Sequence, residues 1–385
     1  MTEYAYAETI TNDYLGLSEE IKAPSALEGR ALARDRLKLW AEEEARRRER
    51  DSIGSGRSPD GYENQRAREE IERYRNIFVD SLKTDPGVDW VSLYDDSPFE
   101  PFVFREAPPS YKKVAGDLNV PPKTLWEIFL PSLRRKRLSR EDTAKRVFLE
   151  KMKQYEERKE IARQKHEEER LRYAAKQNEF NESVESLRFS YETAKPQGIE
   201  GYVRLVLAKS HYPAAIKKEY EVFFDRAGRT VVINYLLPGA AGLPGGSGRI
   251  YRDGDGQAVA LEMDGEEFWE FYRSVQVQIA VRTISEVFRS DYKKHIANAV
   301  FNGWLLTADN GAEKEFAWCY LSCKASRELA ESLDVDSAAP EEIFKAFRGV
   351  MAVSLKMGDA VQPLVNMITE NSRFAGPPGE DGRTP

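Results

Sequence analysis

Few residues in this chain are of types that do chemistry, and their spacing separates the possible reactions. Both cysteines, Cys319 and Cys323, lie in the stretch VFNGWLLTADNGAEKEFAWCYLSCKAS (300–326). A structural zinc site needs four ligands, commonly two cysteine pairs or cysteines with histidines. The three histidines, His166, His211 and His295, are scattered and form no motif with the cysteines or with each other. Alternate residues of a strand share a face. The spacing therefore predicts Cys319, Leu321 and Cys323 on one face and Trp318 and Tyr320 on the other. Both thiols are expected as small buried apolar groups in a sheet core.

Metal-dependent nucleases use a Glu/Gln-x-Lys on a strand, where the carboxylates hold a divalent ion. Glu-x-Lys occurs at Glu20-Ile21-Lys22 and Glu157-Arg158-Lys159, the first in a polar leader and the second in a highly charged run, and neither has an apolar strand around it. The glycine-rich loop GAAGLPGGSG (239–248) lacks the Lys-Ser/Thr of a phosphate-binding loop. No Gly-x-Ser-x-Gly and no His-Glu-x-x-His is present. The sequence thus carries no catalytic motif and leads to no expected metal or cofactor. Its strongest chemical signal is LRRKRLSR (133–140), where Arg134, Arg135, Lys136 and Arg137 are consecutive and Arg140 follows. Such a cluster favours phosphate contacts and a salt-dependent affinity. No aromatics are interleaved for base stacking, so sequence readout is not implied.

The elements that must position these residues follow from composition and pattern. The chain has 385 residues, 32% charged and 41% hydrophobic, with a net charge of −7. From Arg134 to Lys176 there are 16 Lys and Arg against 9 Asp and Glu, so an acidic chain contains a basic segment. No run approaches the roughly 18 apolar residues of a membrane helix. The N-terminus has neither a basic start nor an apolar stretch, which excludes a signal peptide as read. Two cysteines cannot make a disulfide framework. A cytoplasmic, bacterial-type protein without membrane contact is expected.

Residues 1–25 read as a flexible leader. Residues 26–85 read as a helical hairpin, with SIGSGRSPDG (52–61) as its turn and Ile71, Tyr74, Ile77, Phe78 and Leu82 on one apolar face. Residues 86–133 read as a Pro-rich strap with a short helix at 124–130. A long charged helix is expected over 134–195, with Ser139 as its N-cap and Asp142 three residues on. Nothing from there to Ala194 breaks it, and its i,i+4 pairs suit an exposed rod. It has no sustained heptad, so a coiled-coil partner, a hairpin and a lone strut all remain open. Residues 198–370 read as an α+β domain with an antiparallel sheet: a hairpin at 218–238, a shorter strand pair at 248–263, a buried helix at 264–291, and two strands around Asp309-Asn310-Gly311. Residues 371–385 read as a disordered tail. The fold class predicted is α+β.

Several blocks resemble the region upstream of the nuclease domain in Mrr-like restriction endonucleases. They are VDWVSLYDDSPFEP (88–101), YEVFFDRAGRTVVINYLLP (220–238), IAVRTISEVFRSD (279–291), VFNGW (300–304), CYLSCKASR (319–327) and IFKAFRGV (343–350). Together they cover roughly residues 62 to 365. The resemblance implies a role in DNA restriction or antiphage defence. Members of that family carry a C-terminal nuclease domain with an Asp and a Glu/Gln-x-Lys. The blocks stop short of it, so no catalytic residue is carried over. The expected function is a non-catalytic sensing, assembly or DNA-engagement module. DNA is its expected partner, together with a homo-oligomer or a separate effector subunit. The alternative is a protein-binding scaffold with a long helical strut and no nucleic-acid role.

Overall fold

The computed structural model describes residues 5–52, 69–124, 129–213, 216–244, 250–252, 258–260, 263, 265–306, 317–335, 337–355, 359–368 and 374. Two compact units result: Tyr94–Glu182, and a larger one that joins Met1–Leu93 to Ser183–Pro385. The larger unit is α+β.

Its centre is a mixed five-stranded sheet of order β3-β4-β7-β8-β9, built from β3 (Tyr220–Asp225), β4 (Thr230–Leu236), β7 (Asn298–Leu306), β8 (Ala317–Ser326) and β9 (Val350–Met351). The hairpin at 220–236 forms as its alternation predicts, and β5 (Ile250–Arg252) pairs with β6 (Ala258–Ala260). The sheet is not antiparallel throughout, because β4 and β7 are parallel. A parallel neighbour requires a crossover, and the buried helix α6 (Gly265–Ser290) lies within it. Every residue of β4 is buried, as expected of a strand covered on both faces.

Residues Tyr6–Asn12 (β1) and Leu17–Ala23 (β2) form an antiparallel hairpin, which corrects the expectation of a flexible leader. Ile10 and Ile21 supply its buried side against Ala33 and Trp40 of α1 (Ala26–Ser52). The glutamates around those two isoleucines hid the alternation. Helix α1 begins as a capped turn, with the Glu28 amide donating to Ser25 Oγ at 3.2 Å. It packs on α5 (Pro196–Lys209), while α2 (Ile77–Leu82) packs on α6. The two arms of the expected helical hairpin thus each dock on the sheet domain. Its turn at 52–61 falls almost wholly outside the described residues, as does most of the expected helix at 124–130.

Strand β3 is an edge, and α5 guards it: the Phe224 amide donates to Glu200 Oε1 at 2.9 Å and Arg204 donates to the Val222 carbonyl at 3.1 Å. Occupied edge groups disfavour pairing with another chain. On the sheet's other face a polar ladder holds an extended segment. Asn302 Nδ2 donates to Asn234 Oδ1 and to the Val365 carbonyl, Asn234 Nδ2 to the Met367 carbonyl, and Ser322 Oγ accepts from the Leu364 amide. These buried polar groups are satisfied by main chain that has no place in the sheet ladder. Phe374, the one described residue of the expected disordered tail, is buried 5.6 Å from Trp304.

The smaller unit is built on α4 (Pro131–Glu192), a 62-residue helix about 93 Å long that also enters the larger unit. It begins at Pro131, before the expected N-cap. Ser139 is therefore interior, and its carbonyl accepts from Thr143 Oγ1. Proline at the first helical position leaves no donor wanting. The partner of α4 is the strap, running antiparallel to it. Asp95 exchanges hydrogen bonds with Asn181, Tyr173 OH reaches the Ser97 carbonyl, and Phe99 and Phe102 pack on His166. Phe104 packs on Tyr155, Arg158 pairs with Glu106, and Arg140 donates to the Asn119 carbonyl. A short helix α3 (Tyr111–Asp117) sits near the strap's end.

Candidate nucleic-acid interface

The head of α4 carries the predicted cations. Arg134, Arg135 and Lys136 are exposed and make no ion pair among the described residues. Arg137 differs, since its guanidinium pairs with Glu141 at 2.7 Å and is only 14% exposed. Arg140 points back to the strap, 2.9 Å from the Asn119 carbonyl. The predicted set therefore divides into three free cations and two that brace the fold. The first acid of the helix is Glu141, and none lies in its first turn. A helix N-terminus is the positive end of the backbone dipole and favours acidic side chains. Here sequence places cations there, concentrating positive charge against the helix's own preference. Tyr111 of α3 packs on Phe148, farther along α4, and Lys112 and Lys113 beside it are exposed.

Both cysteines are free and buried, as expected, but the predicted face-sharing is corrected. Phe301 pairs with Cys323 and Trp304 with Cys319, with a bulge between Gly303 and Trp304. One extra residue on β8 flips the parity. Cys319 thus packs with Trp304, Leu236 and Phe374 on the ladder face, while Cys323 lies on the other face. Tyr320 turns toward Tyr272 of α6. Burial pushes the Cys319 thiol up to about 12 and raises Cys323 further. Neither is a thiolate near neutral pH. We expect both to resist a thiol-reactive dye in the native protein and to react together on unfolding. A dye-titration time course in native buffer and in denaturant checks this.

Sequence spacing could not reveal a polar cluster formed by residues far apart along the chain. His211 Nδ1 lies 3.0 Å from Asp35, its Nε2 is 3.8 Å from Glu42, and the Lys218 ammonium pairs with Asp35 and donates to the Ala208 carbonyl. Burial alone would raise Asp35, but the His211 hydrogen bond and the Lys218 charge hold it below its ordinary value. Burial also draws Lys218 down despite its partner. The cluster borders a cleft of about 560 Å3 between β2, α1 and β3. It clamps α1 to the sheet domain. His211 faces two carboxylates, and no group of three potential metal ligands occurs among the described residues.

Glu28, 5% exposed, lines the same cleft. Burial raises its pKa, opposed by the Arg204 charge and a Tyr220 hydrogen bond. A raised folded-state pKa means the native state holds the proton more tightly than the unfolded chain does. That stabilisation is present in acid and lost as pH rises through the folded value. Glu28→Gln is therefore expected to raise stability at neutral pH and to leave it unchanged or lower in acid. Urea midpoints at both pH values check the sign.

The fold and site define an α+β protein with a mixed sheet and a strap-bound long helix whose head is basic. No described helix is long and apolar enough to cross a membrane. No family model matches the chain, and neither the curated proteins nor the solved structures yield a significant match.

Proposed function

We propose that this chain is a non-catalytic, cytoplasmic DNA-engagement and assembly module of an Mrr-like restriction system, touching duplex phosphates through Arg134, Arg135 and Lys136. The observation that carries the reading is the set of three free, exposed cations at the positive end of a helix dipole. Free cations release condensed counterions from DNA without first breaking an ion pair. The ordered sequence blocks support the restriction context. Five of the six fall on β3–β4, α6, β7, β8 and the segment through α7 (Pro340–Ala346) and β9, so what they share is scaffold. The test is fluorescence anisotropy on plain and methylated duplex DNA across a salt series. Binding that falls with salt supports the module, and a methylation preference would add sensing. No binding at low salt overturns DNA engagement. Metal-dependent cleavage by the purified chain overturns the non-catalytic part.

One observation favours the protein-binding alternative. Leu138, Leu149, Ile161 and Leu171 are all exposed on α4. On that reading a second copy or an effector subunit covers some of them. A pull-down that keeps its partner after nuclease treatment supports it, and a strictly monomeric, partnerless protein removes it.

A further inference from the structure

We infer that the turn Asp291–Ile296 is a second nucleic-acid contact that takes single strands, with a base stacking on Tyr292 and phosphates meeting Lys293 and Lys294. The choice of nucleic acid as ligand rests on the function proposed above, but the observations are independent of the α4 head. The turn is rigid from both sides. Inside, the Asp291 carboxylate accepts from Tyr191 OH at 2.7 Å, from the Ile296 amide at 2.8 Å and from Arg327 at 2.5 Å. Outside, Arg229 donates to the carbonyls of His295 and Lys294. Arg229 and Lys294 both adopt left-handed backbone, at φ 47° and 54°, which non-glycine residues hold only where the surroundings fix them.

This braced turn presents an aromatic ring to water. Tyr292 is 51% exposed. Its hydroxyl accepts from Trp90 Nε1 at 3.3 Å, and its ring leans on Tyr191 at 5.2 Å and Tyr202 at 6.1 Å. Tyr191 and Tyr202 are themselves stacked at 4.0 Å. The exposed ring, tilted against one of these and edge-on to the other, is therefore the outer member of an ordered aromatic cluster, and loses little freedom when a base covers it. Lys293 Nζ stands 5.7 Å from the ring centre and makes no ion pair among the described residues. Lys294 pairs with Glu331 at 3.2 Å, but both are about half or more exposed, and such a pair yields readily to phosphate. Of the acids nearby, Asp291 is buried and matched by Arg327, and Glu192 is matched by Arg188. An aromatic platform beside free cations is what sequence-tolerant single-strand binding uses. A groove in the duplex offers no exposed base face for it.

The test is anisotropy with labelled dT20, an abasic strand of equal length, and a duplex, on full-length protein. Tyr292→Ala is expected to weaken dT20 binding roughly ten-fold or more and to leave the abasic strand nearly unchanged. Tyr292→Phe keeps the ring and loses only the Trp90 hydrogen bond, so it should bind dT20 within about two-fold of wild type. Lys293→Ala with Lys294→Ala should lower the salt slope by about 1.4 on single strands. These side chains are exposed, and matching thermal melts would show the variants intact. Tyr292→Ala binding dT20 like wild type overturns the inference. So does equal loss on the abasic strand, or no wild-type binding to dT20. Loss of duplex binding alone removes the α4-head reading and leaves this site standing if the dT20 pattern holds.

Discussion

Asp291→Ala is expected to destabilise the larger unit by about 3–5 kcal/mol, the usual consequence of removing one partner of a buried ion pair. The Asp291 side chain is fully buried and Arg327 is 11% exposed. Truncation leaves the Arg327 charge with only the half-exposed Glu331, 3.4 Å away, and orphans the Tyr191 hydroxyl and the Ile296 amide, both of which the carboxylate satisfies. Arg327 keeps its bonds to the Phe288 and Ile296 carbonyls, so it cannot swing out to water without breaking those as well. Burial and the Asp291 charge raise the Tyr191 hydroxyl far above its ordinary value, so it stays a neutral donor at any working pH. The double variant Asp291→Ala with Arg327→Met should recover part of the loss, because neither charge is then left alone. Urea denaturation of the two variants tests the sign. A single variant as stable as wild type would show the pair to be dispensable. The same bonds seat the last turn of α4 against the end of α6, so the loss should also loosen the Tyr292 turn.

Much of this fold could be read from the sequence. Strands with alternation, such as 220–225, and helices with a broad apolar face, such as 265–290, appear where local pattern places them. The failures have physical causes. The β1–β2 hairpin buries only Ile10 from one strand and Ile21 and Ala23 from the other, among glutamates and threonines, so its pattern was too thin to see. The parallel pairing of β4 with β7 is fixed by the crossover through α6, which leaves no mark in either strand. The bulge that parts Cys319 from Cys323 is one residue of register, and register is set across strands rather than along them. The partner of α4 was hidden for a similar reason. Heptads announce a helix that packs on a helix, but an extended strap needs only an aromatic here and an amide there, as His166, Tyr173, Gln177 and Asn181 supply. Of the candidate site, residue type was legible and freedom was not. Sequence grouped Arg137 and Arg140 with their neighbours, and only geometry shows them committed to Glu141 and Asn119.

That division makes the second large effect specific. Arg134→Ala, Arg135→Ala and Lys136→Ala together should lower the slope of log K against log salt by about 3 and weaken duplex binding roughly 100- to 1,000-fold at 0.1 M salt, if each cation meets one phosphate. The fold should not suffer. The three side chains make no ion pair, and removing cations from the positive end of a helix relieves rather than strains it, by up to about 1 kcal/mol per charge at low salt. The control removes equal charge elsewhere on the same helix: Arg163→Ala, Lys165→Ala and Arg172→Ala, all exposed and each beside a glutamate of its own. If general charge governed binding, the two triples would lose affinity alike. A local site predicts that only the first triple does. Arg137→Ala gives the finer contrast: as a bracing residue it should cost some stability and leave the salt slope nearly unchanged. A slope lost equally in all three variants would mean that α4 attracts DNA by its field alone and holds no site at its head.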